Sequence, residues 1–146
     1  MSKEKTLEHK ILVGKFMNIV IKELIDRSLD HDNSKCENPE VELFDIMSPK
    51  LAGCTYDSLE YKKFLEELKP ALDHHYANNR HHPEHFANGI SDMNLIDLIE
   101  MICDWKASTL RHNDGNILKS IDINQNRFKY TNELNTILKN TVQLFE

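Results

Sequence analysis

Apolar residues recur at helical spacing along most of the chain, and this periodicity restricts the fold more than any other feature of the sequence. The alternation of apolar and polar residues that is typical of β-strands is almost absent. Helical spacing is sustained over residues 7–29, and apolar residues are densest in MNLIDLIEMICDWKASTLRH, residues 93–112. The pattern therefore predicts an all-α fold with a long first helix and a central core helix around Asp104. Four residues are predicted to lie in the core: Phe16, Phe64, Leu98 and Trp105.

Proline and polar residues predict where several helices begin and end. Pro39 is expected to start a short helix over residues 40–47. Asp57 is expected to cap the following helix, which Pro70 would kink or restart. After a turn at residues 113–115, we expect an irregular stretch to Tyr130 and then a last helix capped by Thr131.

The length of 146 residues fits one domain that buries its own core without the help of a disulfide or a metal. We predict a single compact bundle of about five to seven helices across residues 1–146. Residues 7–112 would carry the candidate site. Residues 113–146 would form a C-terminal accessory segment.

Charge and cysteine usage argue against several functional classes. A formal net charge of −6 disfavours duplex nucleic acid as a partner, because that affinity comes from clustered Lys and Arg. Cys36, Cys54 and Cys103 form no CxxC pair and are expected to be free thiols in a reducing compartment. No stretch approaches the roughly 18 apolar residues of a membrane span, and no signal peptide is recognisable. We therefore expect a cytoplasmic protein that does not bind membranes, while the sequence leaves its oligomeric state open.

Five of the eight histidines lie close together in HHYANNRHHPEHF, residues 74–86. Imidazole is the commonest protein ligand for divalent transition metals, so this cluster predicts a metal site. On a helix, His74 and His75 point in different directions, as do His81 and His82, so at most one residue of each pair should reach a given ion. A surface patch of histidines without a metal is the alternative.

Two further candidates flank the cluster in sequence. Asp104 lies in the apolar core helix, where a carboxylate needs a metal, a cation or strong donors. The alternatives for Asp104 are a structural salt bridge to Lys106 or Arg111 and an exposed position on a polar seam with Asp97, Glu100 and Arg111. The dipeptide His31-Asp32 can direct a nitrogen and an oxygen at one ion only if the backbone turns there, and the polar residues around it favour such a turn.

The order of these residues resembles the HD superfamily of metal-dependent phosphohydrolases. HDNSK, residues 31–35, is similar to the HDxxK form of that family, and the resemblance covers about residues 7–112. The chain is also similar to small uncharacterised proteins of phages and their bacterial hosts. The resemblance implies an HD-domain-like bundle in which His9, His31, Asp32 and Asp104 hold a principal ion. It also implies a second ion, held by Asp32 and by one residue of each histidine pair: His74 or His75, and His81 or His82.

Mixed imidazole and carboxylate ligands suit a divalent transition metal: Mn, Fe, Co, Ni or Zn, with one or two ions per chain. The resemblance implies a phosphohydrolase or phosphodiesterase whose partner is a nucleotide or another small phosphate ester. Asp32, Lys35 and His82 are the expected catalytic residues. Lys35, Arg80 and Arg111 are expected to bind the phosphate.

Two other functions stay open at the level of the sequence. Paired histidine ligands in the HD fold also occur in di-iron oxygenases, which would give an iron-loaded, coloured protein without phosphatase activity. A non-enzymatic interaction protein stabilised by metal is the other alternative. Such a protein would lose stability when the metal is removed but would show no turnover.

Overall fold

The first helix, α1, spans Lys3–Asp30 in the computed structural model of the chain, which describes residues 1–55 and 58–146. Ser2 caps its start by accepting a hydrogen bond from the Lys5 backbone N–H at 3.3 Å. The helix ends at Asp30 with His31 as its C-cap, and Asp32 then adopts a left-handed conformation with φ 56°. With 28 residues, α1 is about 42 Å long.

Five further α-helices follow in the part of the chain that the structure describes. They are α2 (Glu40–Ala52), α3 (Leu59–Asn78), α4 (Leu95–Thr109), α5 (Ile117–Phe128) and α6 (Asn132–Val142). Short 3-10 turns connect or end them at Asn33–Cys36, Pro83–His85, Gly89–Asp92 and Gln143–Phe145. No strand occurs among the described residues, so the predicted all-α fold is confirmed.

Polar caps begin the later helices. Ser58 accepts from the Tyr61 backbone N–H and starts α3, whereas Asp57, the cap expected from the sequence, lies outside the described residues. Asn94 and Asp97 form a reciprocal capping box at the start of α4. Thr131 caps α6 as predicted.

Two apolar clusters form the interior. The smaller one joins α2 and α3 through Met47, Leu68 and Ala71, with Phe64 packed against it. The larger one joins α4, α5 and α6, and Leu98 and Trp105 pack against it. Its buried members are Met101, Ile102, Ile117, Ile121, Tyr130, Leu138 and Val142.

The C-terminal residues are therefore part of the larger core. Residues 113–146, predicted to be accessory, supply most of its buried members. The expectation of an irregular stretch up to Tyr130 is wrong, because residues 117–128 form α5. Ile117 and Ile121, one turn apart on α5, face α4 and α6.

In contrast to the other helices, α1 buries none of its residues. Phe16, predicted to lie in the core, is 64% exposed. The helix packs on α4 only near its C-terminal end, where Leu24 and Arg27 become half-buried. None of the described helices combines the length and the apolar character needed to cross a bilayer.

Candidate metal centre

The turn at the end of α1 directs both His31 and Asp32 towards α4. The left-handed backbone of Asp32 is uncommon outside glycine and is tolerated best by Asn and Asp. His31 Nε2 lies 3.6 Å from Asp32 Oδ2 and 3.7 Å from Asp104 Oδ1. The backbone turn that the sequence analysis required is thus present, and Asp104 is the residue that the pair approaches.

His75 reaches the same place from α3 and is 4% exposed. Its Nδ1 lies 2.9 Å from Glu40 Oε2, so the other ring nitrogen is turned inward. There, Nε2 is 3.4 Å from Asp32 Oδ1 and 2.9 Å from His82 Nε2. A carboxylate behind an imidazole in this way fixes the tautomer that leaves the inward nitrogen free to bind a metal.

His81 lies in the loop after α3 and is almost completely buried. Its Nε2 is 3.4 Å from Asp32 Oδ1 and 3.9 Å from Asp104 Oδ2, while its Nδ1 is 3.1 Å from Glu100 Oε1. The loop is held by Asn79, whose amide donates to Ser34 Oγ at 2.7 Å and to the His75 carbonyl at 2.8 Å. Asn79 thus ties the loop both to α3 and to the turn that follows α1.

These residues form three overlapping groups whose possible ligand atoms lie within 4.8 Å of one another: Asp32 with His75, His81 and His82; His31 with His81 and Glu100; and His31 with Asp32 and Asp104. We call the seven residues together the candidate metal centre. Asp32 belongs to two of the groups, so one of its oxygens could face each of two ions. The grouping supplies the mixed nitrogen and oxygen donors that divalent transition metals prefer.

Two buried atoms test whether a cation fits. Asp32 Oδ1 and His81 Nε2 have no hydrogen-bond partner among the described residues, whereas His81 Nδ1 lies against Glu100. Leaving such an atom unsatisfied costs about 1–3 kcal/mol. They face one another across 3.4 Å, from Asp32 Oδ1 to His81 Nε2, where a cation would satisfy both. The candidate metal centre can therefore hold a metal ion.

The surroundings favour a positive charge at His31 and a neutral ring at His82. Hydrogen bonds to Asp104 and Glu100 raise the pKa of His31 to about 10. Burial and the neighbouring His81 and His75 lower the pKa of His82 to about 3. The ring is therefore neutral near pH 7, and one of its two nitrogens carries no proton. A neutral imidazole of this kind can bind a metal, but it is a poor proton donor for catalysis.

The structure separates some predicted residues from this centre. His9 is exposed on α1, about 33 Å along the helix axis from His31, and so does not join the other ligands. His74 turns outward, with Nδ1 2.7 Å from Glu40 Oε1. Of the first pair, only His75 belongs to the groups of possible ligands. His81 and His82 both belong to them, because both lie beyond the end of α3, where helical spacing does not apply.

The three expected phosphate-binding cations have different positions. Lys35 lies at the centre and donates to Asp32 Oδ2 at 2.7 Å. Arg80 instead makes a two-point ion pair with the buried Asp97, at 3.1 and 3.0 Å. Arg111 is exposed in the turn after α4. Only Lys35 is therefore brought to the candidate metal centre.

Asp104 contacts histidines and not the cations that the sequence offered as alternatives. Among the described ion pairs it contacts His31 and His81, and neither Lys106 nor Arg111. Burial raises the pKa of Asp104, but its hydrogen bond with His31 and the charges of the neighbouring histidines more than offset this, so the net pKa is lowered. The carboxylate is thus ready to bind a cation.

A cavity of about 630 Å³ opens beside the centre. His82 and Asp104 form one wall, and the lining also includes Trp105, Lys119 and Arg127. The size is that of pockets that hold small molecules. Its charged lining is mixed, because Glu84, Asp104 and Asp114 accompany the two cations and Arg127 donates to Glu84 at 2.8 Å.

Two carboxylates of this region were not among the predicted site residues. Glu100 precedes Asp104 by four residues, so helical spacing places it on the same face of α4, and this could have made it a candidate ligand. Glu40 follows Pro39 at the start of α2 and is fully buried, but nothing in the sequence distinguishes it from an exposed first-turn glutamate.

A model of a protein family of unknown function, DUF5662, matches residues 1–146. No curated protein and no solved structure matches the chain.

Proposed function

The chain belongs to the DUF5662 family, whose function is unknown, and we therefore propose a function from its own residues: metal-dependent hydrolysis of a nucleotide or another small phosphate ester. The observation that carries the proposal is the position of two unsatisfied atoms, Asp32 Oδ1 and His81 Nε2, which face each other across 3.4 Å. They lie in overlapping groups of possible ligands, and His82 and Asp104 of the same centre line a cavity of about 630 Å³.

His31, Asp32 and Asp104 would hold one ion, and Asp32 with His75, His81 and His82 would hold a second. Glu40 and Glu100 orient the imidazoles from behind. A divalent ion bound here supplies Lewis acidity and a source of hydroxide near neutral pH, which is the chemistry that ester hydrolysis needs.

Cations of the chain itself support an anionic substrate. Lys35 lies against Asp32, where its ammonium group can contact a phosphoryl oxygen next to the ions. Lys119 and Arg127 line the cavity on the side of α5. Arg127 is paired with Glu84 at 2.8 Å, so Lys119 is the lining cation that we expect an anionic ester to contact there.

The proposal predicts that metal content and activity depend on the same residues. Wild type, Asp32→Asn and Asp104→Asn would be purified without chelators or a metal-affinity tag, analysed for bound metal and assayed on nucleotides and simple phosphate esters with Mn²⁺, Co²⁺, Ni²⁺ and Fe²⁺. His9→Gln is the matched control, because His9 is exposed and remote from the centre. We expect both aspartate variants to lose metal and phosphate release, and the control to keep both.

Three other results would contradict hydrolysis. Protein that stays folded and metal-free with every ion would remove the metal centre itself. Bound iron, a coloured protein and no phosphate release from any ester would favour an oxygenase. Bound metal that raises stability without turnover on the whole panel would favour a non-enzymatic protein.

A further inference from the structure

The apolar surface of α1 has no partner within the described chain. Eleven of its large apolar residues are between 41% and 72% exposed. They are Leu7, Ile11, Leu12, Val13, Phe16, Met17, Ile19, Val20, Ile21, Ile25 and Leu29. A helix that is apolar around most of its circumference is normally buried, and single-chain proteins rarely leave so large a patch in water.

The face of α1 that packs on α4 continues beyond the body of the protein. Leu24 is half-buried at the contact with α4. Val20, Met17 and Val13 precede it at helical spacing and so share its face, yet all three are exposed. The contact surface that α4 covers at one end is thus uncovered over the rest of the helix.

A groove of about 400 Å³ lies between α1 and α4, next to the part of α1 that α4 covers. Leu24, Ile99 and Ala107 are among the apolar residues that line it. His31 and Asp104 of the candidate metal centre line it too. The groove therefore continues the exposed face of α1 towards that centre.

We propose that two copies of this chain pair through α1, with the helices antiparallel and the first half of each α1 seated along the groove between α1 and α4 of its partner. Charge favours this direction. Residues 3–15 hold four lysines against two glutamates, whereas residues 22–30 hold three carboxylates against two cations. Antiparallel pairing brings the positive half of each helix beside the negative half of the other, and it also opposes the helix dipoles.

The available area suits a stable dimer. A large aliphatic or Phe side chain removes about 60–120 Å² from water when fully buried, so the eleven partly exposed residues hold on the order of 400–700 Å² of apolar surface per chain. A standard interface buries about 800 Å² per partner, of which somewhat more than half is apolar. The pairing is independent of the proposed hydrolysis, because it rests on α1 and the groove alone.

The oligomeric state tests the proposal directly. Sedimentation equilibrium of the wild type would be measured between about 1 and 100 µM, because a weak dimer dissociates within this range. We expect the mass of a dimer. Phe16→Glu and Met17→Glu should weaken the dimer at least about tenfold, because each places a charge in an apolar interface. Asn18→Glu is the matched control on the same helix. Asn18 is exposed on the polar stripe with Lys22 and Asp26, so this variant should remain a dimer.

Both apolar positions lie before the part of α1 that contacts α4, so these variants should keep the fold. Unchanged helical circular dichroism would verify this.

Cross-linking tests the direction of pairing. In a chain whose three cysteines are replaced by serine, Met17→Cys lies near the middle of α1 and Leu7→Cys near its start. Antiparallel helices bring the two copies of residue 17 together and keep the two copies of residue 7 apart. We therefore expect an intermolecular disulfide from Met17→Cys only, and equal cross-linking at both positions would overturn the antiparallel arrangement.

Two results would overturn the pairing as a whole. One is a monomeric wild type over the entire concentration range. The other is a monomer that floats with vesicles of neutral and anionic phospholipid and loses this binding in Phe16→Glu, which would assign the apolar face to a lipid surface.

Discussion

Glu40 is a single carboxylate on which two histidines of the cluster depend. It is fully buried, and its oxygens lie 2.7 Å from His74 Nδ1 and 2.9 Å from His75 Nδ1. Because each oxygen takes one imidazole, Glu40 both turns His74 outward and orients His75 inward. The choice between two adjacent histidines is therefore made by a residue that is itself not among the grouped ligands.

We predict that Glu40→Gln weakens metal binding by about 10–100-fold without removing a ligand, because the amide cannot hold the imidazole as a carboxylate does. Competition with a chromophoric chelator measures this change. Glu42→Gln is the matched control on the same helix, since Glu42 is exposed and glutamine keeps an acceptor for Asn38. Equal affinities of wild type and Glu40→Gln would show that His75 does not ligate.

Asp97 is a second buried carboxylate, and its role is structural. It accepts hydrogen bonds from Arg27 at 2.9 Å and from Arg80 at 3.1 and 3.0 Å. Burial alone would raise the pKa of Asp97, but the bonds from Arg80, the Asn94 backbone and Arg27 outweigh it, and the pKa is lowered. The resulting stabilisation is present above the ordinary pKa of 3.8 and is lost as the pH falls through the lowered value.

Asp97→Asn should therefore reduce the free energy of unfolding by about 1.5–3 kcal/mol at pH 7, the range for hydrogen bonds to a charged group. Urea unfolding at several pH values measures the difference, which should shrink below about pH 4. Asp45→Asn, an exposed change on α2, should be neutral. A loss that does not depend on pH would contradict the ion-pair explanation.

At this scale, residue chemistry was predictable and side-chain direction was not. His31, Asp32 and Asp104 were chosen together because their order resembles the HD-superfamily pattern, and the three lie in one group of possible ligands. His9 does not lie at the site, because about 33 Å of helix separates it from His31. Arg80 was assigned to phosphate, but its partner Asp97 comes from another helix, and no local pattern reveals such a contact.

Helix α5 shows what apolar spacing misses at the scale of an element. The segment ILKSIDINQNRF is mostly polar, so its residues suggested an irregular stretch. Only Ile117 and Ile121 are buried, yet they lie one turn apart and close the larger core against α4 and α6. Two buried residues at the right spacing are enough when two other helices supply the rest of the contact surface.

We predict that Ile121→Ala costs about 2–5 kcal/mol in the free energy of unfolding, because Ile121 is fully buried and its removal leaves a cavity. Ile123→Ala is the control on the same helix, since Ile123 is 67% exposed, and it should change stability by no more than about 0.5 kcal/mol. Denaturant unfolding measures both. If both variants lost no more than about 0.5 kcal/mol in the free energy of unfolding, α5 would not contribute to the stability of the larger core.

Two prolines show why helix ends were hard to place. The helix expected over residues 40–47 instead continues through Pro49, and α3 continues through Pro70 without a restart. A proline removes the hydrogen bond to the carbonyl four residues earlier. Those carbonyls belong to Asp45 and Glu66, which are exposed like the prolines themselves, so water can replace the missing bonds.

At the scale of the whole molecule, the candidate metal centre joins parts that have separate cores. His75 comes from α3, which belongs to the smaller core, and Asp104 comes from α4, which belongs to the larger one. Asp32 supplies the connection at the end of α1. An ion bound by all three would hold the two halves together, so its effect should extend to global stability.

We predict that Mn²⁺, Co²⁺ or Zn²⁺ at 100 times its Kd stabilises the folded protein by about 2.7 kcal/mol, since the ion binds the folded state alone. For a chain of this size, the corresponding rise in Tm is about 5–11 °C. Thermal unfolding with added ion and with EDTA measures it. An equal Tm in both conditions, also for protein purified without chelators, would contradict a shared ion.

The all-α class was predictable for the whole chain because helical spacing recurs in nearly every segment. The partner of the apolar face of α1 was not predictable. Apolar spacing predicts that a helix is buried, but it does not tell whether the same chain or another molecule covers it. Phe16 follows the pattern of a core residue, but it is exposed in the single chain. Its partner, on our proposal, is a second copy that no single-chain pattern describes.

Trp105 gives the chain an optical reporter at the cavity. It is the only tryptophan, it follows Asp104 directly, and its ring stacks on Phe128 at 6.2 Å between centroids while lining the cavity. All tryptophan emission therefore originates beside the candidate metal centre. Fluorescence of the unlabelled protein would follow the arrival of an ion or an ester in real time, with no probe attached.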